Sequence, residues 1–229
     1  MTMNRLARAG AAIVATLLLA PAVALAVLPP EMSDLVKVKS KRLAEVHLLP
    51  GTDFSAYRKV MIDPAQVSFN KNWVKESRSA GLTSRRIPDE QLKAISEAAR
   101  SGFGEIFQEA FKRAGYEVVT AAGPDVVRLT PAIINLYINA PSGSSATRTY
   151  AMNAGEATLA IAVRDSMSGA LLGMALDKRE TRTAMAGPVL ADSVTNRAEF
   201  EVLFRRWADI AAKGFTDMRE SPPVPTRKK

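Results

Sequence analysis

The chain has no cysteine in its 229 residues and one histidine, His47. The first absence excludes disulfides, thiolate nucleophiles and thiolate metal sites, and a single imidazole leaves zinc almost nothing to bind. A Ser-His-Asp arrangement would have to use His47, which lies in the apolar run Val46-His47-Leu48-Leu49. No Gly-x-Ser-x-Gly elbow presents a serine to it, so His47 reads as structural or surface. Walker loops, dinucleotide fingerprints and carboxylates spaced for calcium are missing too, and no cofactor or metal is expected. Strong charge of one sign is also lacking. The 31 basic and 23 acidic side chains are scattered, which argues against nucleic acid as partner.

What is present begins with the amino end. Arg5 and Arg8 precede the apolar run Ala11–Ala20, Pro21 interrupts it, and Ala24-Leu25-Ala26 supplies a small-x-small cleavage pattern. Residues 1–26 are expected to be a signal peptide cleaved between Ala26 and Val27, leaving no transmembrane segment. The competing reading is a retained anchor, since Ala9 to Leu28 carry no charge and would just cross a bilayer. A lipoprotein is excluded by the missing cysteine. Export of a disulfide-free chain suits a bacterial periplasm.

Residues 27–54, with Lys37, Lys39, Lys41 and Arg42, read as an extended basic lead-in, 55–219 as a single domain and 220–229 as a disordered tail. Val60 and Ile62 open the strand signals before Asp63-Pro64 bends the chain. Residues 70–88 read as a polar loop anchored by Trp73. The organising helix follows, with Leu92, Ile95, Ala99, Phe103, Ile106, Phe107, Ala110 and Phe111 on one face, Asp89 as its expected cap and Gly115 as its stop. Gly102 and Gly104 each cost that helix about 1 kcal/mol, which predicts close approach to a strand. Val126 to Asn139 reads as an interior strand, bulged or at an edge where Pro131 cannot donate. Glu156 to Arg182 reads as a hairpin turning at Asp165–Gly169. A second helix, about Arg197 to Arg219, carries Phe200, Leu203, Phe204, Trp207, Gly214, Phe215 and Met218 at helical spacing.

These elements predict an α+β fold: a two-layer α/β sandwich, its sheet mostly antiparallel, with two long helices packed on one face.

Asp53–Val60, the helix end Phe111-Lys112-Arg113-Ala114-Gly115-Tyr116, the Asp165–Gly169 hairpin and Phe204-Arg205-Arg206-Trp207-Ala208-Asp209 together resemble the bacterial exported proteins of domain-of-unknown-function family 3313, over about residues 40–219. The resemblance implies export and brings no catalytic residues. Many members look like lipoproteins, which this chain cannot be.

Three functions follow as expectations. The first is a non-enzymatic periplasmic domain that binds an envelope protein, or an envelope lipid or glycan, through the basic aromatic surface of Trp73, Lys75, Arg85 and Arg86. The second is a small-ligand carrier with a pocket between helix and sheet, lined by Phe103, Phe107 and Trp207. The third, a hydrolase, requires Asp63, Asp165 and Asp177 to converge, although each has a plainer reading as turn former or strand end.

Overall fold

The thirteen-residue stretch Val126–Ile138 is apolar on both faces and forms the longest strand, flanked on either side by others. A computed structural model describes the protein at residues 30–79, 87–139, 150–151, 153–181, 189–190 and 193–226. The expected signal peptide, its Ala26–Val27 junction and the pair Arg85 and Arg86 lie outside the described residues. After a helical turn at Pro30–Asp34 the elements are β1 (Val36–Val38), β2 (Glu45–Leu48), β3 (Lys59–Ile62), β4 (Gln66–Phe69), α1 (Lys71–Ser79), α2 (Asp89–Arg113), β5 (Glu117–Val119), β6 (Val126–Ile138), β7 (Tyr150–Ala151), β8 (Gly155–Asp165), β9 (Leu171–Glu180), β10 (Val189–Leu190) and α3 (Ser193–Arg219). The chain is α+β, with an eight-stranded mixed sheet and three helices among the described residues.

The strand order is β1-β2-β9-β8-β6-β3-β5, with β4 continuing beside β6. From β1 to β6 every pairing is antiparallel, whereas β3, β4 and β5 run parallel to their neighbours. The parallel part arises because α2 carries the chain back from β4 to β5, and a long crossover is what parallel neighbours require. β7 and β10 form a separate antiparallel pair.

Pro131 does not bulge its strand. On β6 the carbonyl of Leu129 accepts from Asp63 N at 2.9 Å, so the groups of residues 129 and 131 face the β3–β4 side. There the neighbouring chain is interrupted by Asp63-Pro64-Ala65, between the pairings Ile62↔Leu129 and Gln66↔Ala132. The missing donor therefore falls where no acceptor waits. The irregularity sits instead at Asn135, whose φ is 54°.

Four expectations need correction. The lead-in is part of the sheet, because Val36 and Val38 alternate with Lys37 and β2 adds to the edge of β9. Residues 71–79 are helical, capped by Asn70 Oδ1 accepting from the N–H groups of Asn72 and Trp73 at 3.0 and 3.2 Å. α2 starts from Pro88 without a side-chain cap, and Asp89 with Glu90 lies in its positive first turn. Within the expected tail Val224 is tied down, being buried and exchanging backbone bonds with Gly51 and Thr52 at 2.8 and 2.9 Å.

α2 ends as expected. Gly115 takes φ 88°, and Tyr116 N reaches back to Phe111 O at 3.0 Å while the two rings meet at 5.7 Å. The buried faces of α2 and α3 share one core cluster with β6 and β8, and Phe103 meets Phe204 edge-on at 5.3 Å. A smaller cluster on the other side of the sheet joins Ala160, Leu171 and Met174 to Leu35.

Candidate ligand-binding cavity

The inward stripe of α3 carries a local gap in bulk, where Ala211 and Gly214 stand between Trp207 and Phe215. A Cβ built at Gly214 would meet nothing within 4 Å. Opposite this gap lies a cavity of about 600 Å3. Its floor is Leu48, Ile161 and Val163 of the sheet, and Phe107 and Phe111 of α2 reach it from the side. Val38 and Val46 close the sheet edge, while Met218 and the Ser221–Pro225 segment cross the far end. Its charged lining groups are Lys39, Lys41 and Arg42, on the loop joining β1 to β2, and Asp217 on α3.

That loop is fixed by a buried carboxylate. Asp177 accepts from the backbone N–H of Ala44 at 3.0 Å, from Trp207 Nε1 at 2.9 Å and from Arg179 Nε. The same guanidinium donates from Nη2 to the carbonyl of Arg42 at 2.7 Å. The rim of the cavity is thereby held to β9 and, through Trp207, to α3. At the other end, the Val224 pairing with Gly51 and Thr52 fixes the closing segment.

Of the expected pocket residues, Phe107 lines this cavity and Phe103 and Trp207 do not, although all three are fully buried. A second cleft of about 330 Å3 lies between the amino-terminal halves of α2 and α3, walled by Ile95, Ala99, Phe200 and Phe204. Gly102 opens onto it. A Cβ added at Gly102 or Gly104 would meet nothing within 4 Å, so no strand approaches either residue.

Of the expected basic aromatic surface, only Trp73 and Lys75 fall among the described residues. Trp73 is 4% exposed, stacks on Phe69 at 5.2 Å and donates from Nε1 to Ile138 O at 2.8 Å. An indole in that position anchors α1 to the sheet and is closed to a partner. Lys75 lies exposed on α1, and Arg85 and Arg86 fall outside the described residues.

The three carboxylates have separate partners. Asp63 accepts from Arg128 Nε at 2.9 and 3.0 Å, Asp165 from Tyr57 at 3.1 Å and from Ser168 in the hairpin turn, and Asp177 from the set above. Hydrogen bonds from Ser168 hold the Asp165 carboxyl below the usual carboxylate range, and burial, then the hydrogen bond to Asp165 and its charge, pushes the Tyr57 phenol up to about 12. His47 is mostly buried on β2, with Nε2 at 3.3 Å from Glu45 Oε2. Among the described residues no three His, Cys, Asp or Glu side chains gather as a metal site, and no helix is long and apolar enough to cross a membrane.

Residues 31–211 match the family described as protein of unknown function (DUF3313). The chain belongs to DUF3313. The DUF3313 match stops inside α3, so Gly214, Met218 and the closing segment lie beyond the matched residues. No curated protein matches the sequence. Among solved structures, the chain is similar to the PelC dodecamer of Paraburkholderia phytofirmans, at 10% identity and a TM-score of 0.33, covering 73% of this chain and 94% of that one. A neuraminyllactose-binding hemagglutinin homologue from Helicobacter pylori gives 13% identity and a TM-score of 0.35 over 80% of this chain and 95% of its own. A Xanthomonas campestris protein of family DUF330 gives 9% and 0.38 over 75% and 88%.

The cavity is hard to anticipate because its rim and far end come from segments that read as tether and tail. Gly214 within an apolar helical stripe is its one visible sign.

Proposed function

We propose that this DUF3313 chain is a non-enzymatic carrier that holds a small apolar ligand in the cavity beneath α3. In this reading α2 and α3 form a helical layer over one sheet face, a two-layer arrangement that opens where α3 runs short of bulk. The expected signal peptide favours the periplasm as the place of work, with an envelope lipid or glycan component as the source of ligand. The observation that carries the proposal is the cavity itself. Its volume, about 600 Å3, falls in the range of roughly 300–1,000 Å3 typical of small-molecule sites, and its walls are apolar. Docking of an envelope protein through Trp73 is the weaker reading, because that side chain is buried.

Each methylene laid against such a wall contributes about 0.8 kcal/mol, so affinity in a homologous series should climb about fourfold per carbon until the cavity is full. The test is fluorescence titration with an apolar naphthylamine probe. Saturable one-to-one binding is expected, weakened about tenfold or more in Gly214→Leu, a loss of about 1.4 kcal/mol. That variant fills open space and exchanges glycine for a better helix former, so its fold should be at least as stable. Binding unchanged by Gly214→Leu would remove the cavity as the site.

A further inference from the structure

Resting on that carrier reading, we infer that the ligand is an anionic single-chain amphiphile, its tail in the cavity and its head group beside Lys39 and Lys41. The cavity has apolar walls but an uneven rim, where three cations, Lys39, Lys41 and Arg42, face one carboxylate, Asp217. Asp217 is already met by others, with Lys213 Nζ at 3.4 Å and Arg42 Nη1 at 4.0 Å. Lys39 and Lys41 have no carboxylate within ion-pair distance among the described residues, although the neighbouring Lys37, on β1, pairs with Glu45 at 3.2 Å. Both are exposed, so their ammonium groups remain hydrated until a counter-charge arrives.

The loop that carries them is not free to swing away. The Arg179 bond to the Arg42 carbonyl and the Asp177 bond to Ala44 N hold its backbone against β9, directly after the two lysines. A fixed backbone with flexible ammonium ends suits a head group of variable shape, as a point-charge contact does not demand the planar geometry of a guanidinium. The arrangement thus pairs a long apolar volume with a positive edge at its opening, which is complementary to a carboxylate or phosphate on one acyl chain. A neutral lipid would leave the lysines unanswered, and a short anion would leave the apolar wall uncovered.

Calorimetric titration of the protein with laurate, lauryl alcohol and acetate, each below its aggregation limit, separates these cases. Laurate is expected to bind about tenfold more tightly than the alcohol at low salt, with the difference shrinking as salt screens the rim. Acetate should not bind measurably. Lys39→Glu combined with Lys41→Glu changes only exposed side chains and should abolish the preference for laurate while leaving the alcohol unaffected. Equal binding of laurate and alcohol would overturn the head-group assignment yet leave the carrier reading standing. A preference that survives the double variant, or acetate binding as well as laurate, would also overturn it. If neither long-chain compound binds, both readings fail together.

Discussion

Asp177 receives Trp207 Nε1 on one carboxylate oxygen, at 2.9 Å, and the backbone N–H of Ala44 on the other, at 3.0 Å. One buried side chain thus fastens α3 and the β1–β2 loop to the same point of β9. Asp177→Ala would leave the indole, the Ala44 N–H and Arg179 Nε without their acceptor. Loss of one partner from a buried charged set costs about 3–5 kcal/mol. Urea unfolding should show a loss of that order, and hydrogen exchange should quicken at Ala44 well before the core opens. An unaltered exchange rate at Ala44 would contradict the clamp.

Trp73 belongs to the core. Trp73→Ala should cost about 3–5 kcal/mol, since it removes the stack on Phe69 and empties the space beneath α1. Trp73→Phe keeps most of the volume but orphans the Ile138 carbonyl, which predicts a smaller loss of about 1–3 kcal/mol. Chemical denaturation distinguishes them. A stable Trp73→Ala protein would return the residue to the surface.

Two glycines should respond with opposite signs. Gly155 has φ 148°, and an added Cβ would stand 2.0 Å from the Tyr137 carbonyl oxygen on the neighbouring strand. Gly155→Ala should destabilise by about 3 kcal/mol or more, through strain and overlap together. Gly102 lies inside α2 with nothing within 4 Å of the same position. Gly102→Ala should therefore stabilise by about 0.5–1 kcal/mol. Thermal melts of both variants check the pair.

The Tyr57–Asp165 contact predicts how stability varies with pH. A carboxyl whose value is lowered on folding contributes stability above its unfolded value, 3.8 here, and loses it as pH falls further. A phenol raised from 10.0 to about 12 contributes below pH 10 and loses that contribution as pH rises toward 12. The native protein should thus weaken at both extremes. Tyr57→Phe, which has no proton to lose, should flatten the alkaline fall. Unfolding midpoints measured across the alkaline range report the outcome.

The long elements are legible in the sequence because their periodicity is repeated many times. Eight apolar positions on α2, the seven at helical spacing on α3 and the alternation through β8 and β9 each agree internally, and Asp165 with Gly169 fixes the hairpin. Short elements carry too few periods. β1 contributes only Val36 and Val38, and the charge of the surrounding lysines masks the alternation that marks the strand. The capping role of Asn70 is equally readable, yet the polar residues after it outweigh it. Parallel pairing of β3 with β5 and β6 leaves no trace, since three- and four-residue strands do not record direction. The cavity is hidden for a related reason. Its rim, floor and closing segment come from Lys39, Ile161 and Val224, far apart in sequence, and only the closed sheet edge brings them together.

The most direct measurement is methyl NMR of the protein titrated with laurate. Saturable shifts are expected at Val38, Val46, Leu48 and Met218, which line the cavity beneath α3, with Ile95 in the second cleft unmoved. Shifts centred on Ile95, or none at any of the cavity methyls, would contradict a ligand held beneath α3.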